Sequence, residues 1–139
     1  MASGFVAGVV VFTIASLGGQ EVKLSDEASL VMLQVTLGPI LEELVFRGYL
    51  FALLAWSFRR ALNRVPANWA IVFTAAVVFA LVHLAQPGVR WLQIVCIVST
   101  GVLYGWHRCR SGSTAPAAAS HAAYNLTLYA AVGIMGAGR

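Results

Sequence analysis

Five apolar segments make up most of this 139-residue chain, and they constrain its fold more than any other feature. They cover approximately residues 4–18, Ala28–Phe58, Asn68–Ala85, Trp91–Trp106 and Thr114–Ala137. Hydrophobic residues account for 60% of the chain and charged residues for only 10%, whereas soluble domains contain about 25% charged residues. Because a membrane-spanning helix needs about 20 apolar residues, five spans would use most of the chain. The sequence therefore predicts an all-α, polytopic membrane helical bundle of about five transmembrane helices.

Charged residues lie near the ends of these segments and predict the orientation of the chain in the membrane. One side carries Arg59, Arg60, Arg64, Arg108 and Arg110. The other side carries Glu21, Lys23, Asp26, Glu27, Arg90 and Arg139. Because cytoplasmic loops are enriched in Lys and Arg, we expect the N-terminus and residues 58–67 and 107–113 to be cytoplasmic. The arginines form no continuous stripe, so no nucleic-acid partner is predicted.

The length allows a single membrane domain, residues 1–139, and leaves no room for a separate soluble catalytic domain. Any chemistry must therefore occur among the helices. The first segment lacks the basic flank and cleavage site of a signal peptide, so residues 1–35 are predicted to be a retained N-terminal helix and loop. Cys96 and Cys109 have no metal-binding spacing and are predicted to be unpaired. The small residues of GVLYG, Gly101 to Gly105, predict close helix packing.

Six polar residues lie inside the apolar segments, where a charged side chain costs roughly 2.5–3.5 kcal/mol and usually faces a cavity or a partner. They are Glu42, Glu43, Arg47, His83, His121 and Asn125. Glu43 and Arg47 are four residues apart with the acid first, which predicts an ion pair. Glu42 projects about 100° away from Glu43 on an α-helix. We expect Glu42 to act as a general base; the alternative is a packing acid satisfied by a neighbouring helix.

Two histidines share a helix face with a second residue of interest, because four residues separate Phe79 from His83 and His121 from Asn125. A buried carboxylate with these groups favours water activation and amide hydrolysis. Glu42 would accept a proton from a water oriented by His83. His121 and Asn125 would donate hydrogen bonds to the oxyanion of the tetrahedral intermediate.

Metal binding is the competing use of the same side chains. Glu42, His83 and His121 could supply the carboxylate and two imidazoles of a catalytic zinc site. The chain has no HExxH motif, and the three ligands would come from three different segments. The sequence therefore predicts no definite cofactor and leaves a divalent metal such as zinc as an alternative.

Three motifs of the chain resemble, in order and spacing, those of the CPBP intramembrane proteases. EELVFRG (42–48), FALVH (79–83) and HAAYN (121–125) are similar to the EExxxR, FxxxH and HxxxN motifs of that family. The resemblance covers residues 36–130, which are predicted to be the protease-like core. The family includes type II CAAX prenyl endopeptidases, bacteriocin-processing enzymes and Abi-like self-immunity proteins. The resemblance implies an all-helical membrane protease with a cavity inside the bilayer.

The resemblance also implies a role for each polar residue. Its first motif makes Glu42 the general base, with Glu43 and Arg47 beside it. Its second motif makes His83 the assistant of Glu42. Its third motif makes His121 and Asn125 the oxyanion donors. Members of the family are often described as metalloproteases, although a glutamate mechanism without a metal fits these residues as well.

Two features depart from the pattern of the family. Members commonly carry more helices before the first motif, whereas here residues 1–35 precede it, and we expect substrate entry, dimerisation or even activity to be affected. Glu42 and His83 also lie about 24 Å of helix from the charged loop at 58–67, whereas His121 is close to Gly112 in sequence. We therefore expect residues 111–115 to enter the membrane in an extended form, or the helices to tilt strongly.

The leading hypothesis is an intramembrane endopeptidase that hydrolyses hydrophobic substrates, including prenylated CAAX-type ones. The expected partners are a hydrophobic or lipidated peptide or protein and membrane lipid, and the expected location is a bacterial cell membrane, which the chain crosses several times. The oligomeric state is not predicted. The alternative is a non-catalytic bacteriocin self-immunity or membrane scaffold protein that uses the same cavity for binding. A third hypothesis is a proton- or ion-conducting bundle, because buried Glu and His also relay protons.

Overall fold

A computed structural model describes residues 1–17, 27–62, 68–86 and 89–137. Within these ranges every regular element is helical, which confirms the predicted all-α class. The elements are α1 (Ala2–Leu17), α2 (Ala28–Val35), α3 (Leu37–Glu43), a π-helical segment (Leu44–Leu50), α4 (Phe51–Leu62), α5 (Asn68–His83), α6 (Trp91–Ser111) and α7 (Ala115–Ala137). Some charged residues of the orientation prediction lie outside the described ranges: Glu21, Lys23, Asp26, Arg64 and Arg139.

One helical stretch of the described residues, Ala28–Arg60, is long and apolar enough to cross a membrane. It has 33 residues, and its mean hydropathy is 1.5. Only 11% of its apolar window is buried, so most of its apolar side chains face outward. Ala2–Leu17 and Asn68–His83 are shorter apolar helices. These lengths do not establish about five transmembrane helices, and the multi-pass arrangement stays a prediction.

The boundary between α2 and α3 follows from Pro39. A proline has no backbone N–H, and its ring clashes with the carbonyl four residues earlier, which here belongs to Val35. Helix α2 accordingly ends at Val35, and Thr36 leaves the helical conformation with φ −115° and ψ −81°. The Thr36 hydroxyl donates a hydrogen bond of 2.5 Å to the Met32 carbonyl. The proline therefore interrupts the apolar segment Ala28–Phe58, and the interruption falls at Thr36.

The chain divides into two compact units, and the first comprises Met1–Leu41 with Ala118–Arg139. In this unit α1 lies directly against α7, because two glycines of α1 remove the side chains that would separate them. A Cβ atom at Gly4 would lie 2.0 Å from the Ser120 carbonyl oxygen. One at Gly8 would lie 2.7 Å from Cβ of Thr127. The hydroxyl groups of Ser3 and Ser120 are also 3.2 Å apart.

The second unit, Glu42–Ala117, has its core between α5 and α6. The buried side chains of α5 are Ile71, Val72, Ala75, Ala76, Phe79 and Ala80. A Cβ atom at Gly101 would lie 3.1 Å from Cβ of Ala76, and one at Gly105 would lie 2.9 Å from Cγ1 of Val72. The packing predicted for GVLYG is therefore confirmed. Cys96 and Cys109 are free thiols, as predicted.

The connection from α6 to α7 is a tight turn, so the extended backbone predicted for residues 111–115 is wrong, and the alternative of strongly tilted helices stays a prediction. Helix α6 continues five residues beyond its predicted end, to Ser111. Gly112 then adopts the left-handed conformation with φ 68° and caps the helix, since its N–H donates to the Arg108 carbonyl at 3.0 Å. Glycine adopts this conformation without steric cost. The hydroxyl groups of Ser111 and Ser113 accept the next backbone N–H bonds, and α7 begins at Ala115.

Candidate active site

The Glu43–Arg47 ion pair is the most buried polar feature of the second unit. Nη1 of Arg47 donates to Oε1 of Glu43 at 2.9 Å, and both side chains are 0% exposed. Nη2 of Arg47 donates to the Gly101 carbonyl at 2.9 Å. A charge buried to this degree is stable only when it is paired and hydrogen-bonded. The predicted pair is confirmed, and it also ties the first motif to α6.

Gly101 makes the approach of the guanidinium possible. A Cβ atom at this position would lie 3.1 Å from Nη2 of Arg47. The same absence of a side chain lets α5 approach α6 and leaves the Gly101 carbonyl accessible to Arg47. Gly101 therefore has a role in holding Arg47 in addition to the packing role that its spacing predicts.

Two aromatic rings flank the Arg47 guanidinium. Its central carbon lies 4.5 Å from the ring centroid of Phe79 and 5.4 Å from that of Tyr104. Cations are attracted to the faces of aromatic rings at such distances, and the attraction strengthens when the cation is desolvated. The two rings add to the pairing of Arg47 and keep water away from the buried charges.

The π-helical segment Leu44–Leu50 carries Arg47 and follows directly after the two glutamates. Such segments are rare, and they occur frequently at functional sites. Here Nε of Arg108, on α6, donates to the Arg47 carbonyl at 3.0 Å. The backbone and the side chain of Arg47 are therefore both bonded to α6, through Arg108 and Gly101. These bonds fix the helix that bears Glu42 and Glu43.

Glu42 is half-buried, whereas Glu43 beside it is fully buried. Both lie in α3, so the predicted divergence of about 100° between them applies. The Glu42 carboxylate is close enough to Arg47 to contribute to the electrostatic stabilisation of the guanidinium. Glu42 is therefore the more exposed acid of the motif and lies beside a fixed positive charge.

His83 ends α5, and its ring is fixed by its own helix. Nδ1 lies 2.8 Å from the Phe79 carbonyl oxygen. A carbonyl oxygen only accepts hydrogen bonds, so Nδ1 carries the hydrogen. In the neutral imidazole Nε2 then holds the lone pair. His83 can accept a hydrogen bond from a water molecule or a substrate group through Nε2.

Phe79 connects the first two motifs physically, a role that the sequence analysis did not give it. Its ring centroid lies 4.9 Å from that of Phe46, edge to face, and 4.5 Å from that of His83. The same ring lies against the Arg47 guanidinium. The FxxxH spacing, which places an aromatic ring one helical turn before the histidine, could have indicated this contact.

His121 and Asn125, of the third motif, lie on α7 in the first unit. His121 is buried, with 6% of its surface exposed. Nδ2 of Asn125 donates to the Gln34 carbonyl at 2.7 Å, and the Tyr129 hydroxyl bonds to the Gln34 side chain. Asn125 therefore joins α7 to α2. Its amide group has two hydrogens, and the bond to Gln34 uses one of them.

The structure thus brings Glu42, Glu43, Arg47 and His83 into one compact unit, linked through Phe79, and carries His121 and Asn125 in the other unit. Among residues 1–17, 27–62, 68–86 and 89–137, no group of three or more His, Cys, Asp or Glu side chains is placed to hold a metal ion. The zinc hypothesis stays a prediction.

Comparison with known families agrees with these motifs. Residues 24–127 match the family model described as type II CAAX prenyl endopeptidase Rce1-like. The match covers more than half of the chain, and the chain belongs to this family of membrane-embedded CAAX-type proteases. No curated protein and no solved structure matches the chain.

Proposed function

We propose that this chain is an intramembrane endopeptidase in which Glu42 activates the water that hydrolyses the peptide bond. The proposed substrates are hydrophobic peptides, including prenylated CAAX-type peptides. The observation that carries the proposal is the locked network of Glu43, Arg47 and the Gly101 carbonyl. This network fixes the helix that presents Glu42 and supplies the neighbouring positive charge.

The proposed reaction begins when the Glu42 carboxylate accepts a proton from water, while Nε2 of His83 accepts a hydrogen bond from the same water. The hydroxide attacks the carbonyl carbon of the scissile bond and forms a tetrahedral oxyanion. Glu42 then gives its proton to the leaving nitrogen, and the C–N bond breaks to yield a carboxylic acid and an amine. General acid–base catalysis of this kind contributes typically about 10²–10⁴ in rate.

His121 and Asn125 are proposed as the oxyanion donors on the strength of the third motif alone. The remaining hydrogen of the Asn125 amide could serve this purpose, because the first one bonds to Gln34. Removing one oxyanion donor typically lowers the rate by about 10²–10³.

The proposal is tested by proteolysis with purified protein in proteoliposomes. The substrates are farnesylated CAAX-type peptides, the same peptides without the prenyl group, and unrelated hydrophobic peptides. We expect Glu42→Gln to lower the cleavage rate by at least about 10². Glu27→Gln is the matched control, because Glu27 is an exposed acid that precedes α2, and it should cleave at the wild-type rate.

Repeating the assay with a chelator distinguishes a metal-free mechanism from a zinc-dependent one. Unchanged cleavage in the presence of the chelator supports hydrolysis by Glu42 without a metal. Loss of cleavage that is restored by added zinc would require a metal and would overturn the metal-free mechanism. A third outcome is that the wild-type protein and Glu42→Gln both bind the peptides and neither cleaves them. That outcome would favour the non-catalytic immunity or scaffold hypothesis.

A further inference from the structure

A cavity of about 210 Å³ lies between the start of α5 and the end of α6, within the Glu42–Ala117 unit. Its walls are formed by Asn68, Trp69, Val72, Trp106, Cys109 and Arg110. None of the six motif residues lines this cavity, and the proposed reaction does not use it. Its volume is below the roughly 300–1,000 Å³ of sites for drug-sized ligands. The cavity therefore suits a small headgroup or a fragment rather than a peptide.

A positive charge lies in the wall of the cavity, on Arg110. The sequence contains no Asp or Glu after Glu43, so residues 44–139 supply no acidic side chain to neutralise Arg110. An anion in the cavity would meet uncompensated positive charge and the donors of Arg110 and Asn68.

The aromatic residues of the cavity indicate that its occupant has an apolar part. Trp69 is 60% exposed and Trp106 is 38% exposed, so both indole rings are accessible from outside the protein. The Arg110 guanidinium lies 5.5 Å from the Trp106 ring centroid, which holds the charge beside the aromatic wall. Tryptophan is enriched where a membrane meets water. Basic pockets between helices on the cytoplasmic side are suited to anionic headgroups.

We propose that this cavity binds the phosphodiester headgroup of an anionic phospholipid. Arg110 and Asn68 donate hydrogen bonds to the phosphate oxygens, and the glycerol region of the lipid lies against Trp69 and Trp106. The proposal rests on the membrane location of the protein and not on its catalytic activity. Lipid binding can therefore be found or excluded whether or not the protein cleaves peptides.

Quenching of tryptophan fluorescence by brominated lipids tests the proposal, because bromine quenches an indole ring on contact. The protein carries Trp56→Phe and Trp91→Phe, so that Trp69 and Trp106 are its remaining tryptophans. It is reconstituted in vesicles that contain equal fractions of brominated phosphatidylglycerol or brominated phosphatidylcholine. We expect an apparent affinity about fivefold higher for phosphatidylglycerol, the factor that corresponds to roughly 1 kcal/mol for one arginine at an anionic surface.

Two charge variants separate a built site from general attraction to an anionic surface. Arg110→Gln should abolish the preference for phosphatidylglycerol. Arg60→Gln removes the same charge from the end of α4 without altering the cavity wall, and it should preserve the preference. Equal quenching by the two lipids, or an equal loss in the two variants, would overturn the proposal. Inorganic phosphate should not displace the lipid, and displacement would point to a free anion as the ligand.

Alkylation of Cys109 tests the same site in the wild-type protein, should Arg110→Gln fail to fold. Cys109 lines the cavity and is partly exposed, whereas Cys96 is buried, so an uncharged maleimide reacts selectively with Cys109. We expect labelling to be severalfold slower in phosphatidylglycerol vesicles than in phosphatidylcholine vesicles. The control is the double variant Ser111→Cys with Cys109→Ala, because Ser111 is exposed at the same helix end. The labelling rate of its new thiol reports any effect of the pH at the membrane surface. Equal slowing at both positions would contradict the proposal.

Discussion

Replacement of Arg47 by Met removes the cation of the buried pair and tests how the first motif is held. In Arg47→Met the Glu43 carboxylate stays fully buried without its partner cation, and the Gly101 carbonyl loses the hydrogen bond from Nη2 of Arg47 while it keeps its bond within α6. Breaking a buried pair by removing one partner costs about 3–5 kcal/mol. A hydrogen bond from a charged donor such as this one contributes about 1.5–3 kcal/mol. The two costs overlap because both are relieved by the same local relaxation, and we expect a total of roughly 4 kcal/mol.

The double variant Glu43→Leu with Arg47→Met distinguishes a lost ion pair from lost packing. Replacing both charges by apolar side chains of similar size is often neutral or stabilising, so we expect the double variant to lose no more than about 2 kcal/mol. Glu43→Leu alone should lower the free energy of unfolding by about 3–5 kcal/mol, because Arg47 then loses its partner carboxylate. The two single changes should therefore be strongly non-additive, with a coupling energy of at least about 3 kcal/mol.

Reversible unfolding by SDS in mixed micelles, followed by helix ellipticity, measures these free energies. Arg59→Met is the control, because Arg59 is exposed in the last turn of α4 and its loss should change stability by less than about 0.5 kcal/mol. The reasoning is refuted if the free energy of unfolding of Arg47→Met lies within about 1 kcal/mol of the wild-type value. It is equally refuted if the double variant loses as much as the sum of the single variants.

Two further changes are expected to act through packing and hydrogen bonding, measured by the same unfolding. Gly105→Ala should lower the free energy of unfolding by about 1–3 kcal/mol, because the new Cβ would lie 2.9 Å from Cγ1 of Val72. Gly133→Ala should be neutral or stabilising, because nothing lies within 4 Å of its Cβ; equal effects at the two glycines would contradict this account. Asn125→Leu should lower the free energy of unfolding by about 1 kcal/mol, because it removes the hydrogen bond to the Gln34 carbonyl. An unchanged stability would show that this bond contributes nothing.

Hydropathy and spacing predicted the helical segments and two of their contacts. The pairing of Glu43 with Arg47 follows from a spacing of four residues, and the packing at Gly101 and Gly105 follows from their small size. The same reasoning could have found the contact of α1 with α7, because Gly4 and Gly8 have the same spacing in the first segment.

The π-helical segment could not be predicted, because it depends on bonds between residues far apart in the sequence. The sequence indicates the charge of Arg108 but not its partner, whereas in the structure its Nε atom donates to the Arg47 carbonyl. Phe79 counted as an apolar residue of a motif, whereas its ring contacts both Arg47 and His83. Hydropathy is nearly uniform along these helices, so it does not indicate which face of a helix meets which neighbour.

The turn between α6 and α7 was predicted incorrectly for a physical reason. The prediction assumed that the helices all start at the membrane surface, and it required either extended backbone or strongly tilted helices to bring His121 to the depth of Glu42. Gly112 instead ends α6 with a left-handed cap, and Ser111 and Ser113 satisfy the backbone of the turn. The dipeptide Ser111-Gly112 is itself a signal for such a turn.

Hydrolysis in ¹⁸O-labelled water under single-turnover conditions tests the role of Glu42 most directly. Wild-type protein in excess over a farnesylated CAAX-type peptide should place one ¹⁸O atom in the new carboxylate during the first turnover, because the attacking oxygen comes from water. Glu42→Gln should form the same product at least about 10² times more slowly. A product without ¹⁸O, or cleavage by Glu42→Gln at the wild-type rate, would contradict the activation of water by Glu42.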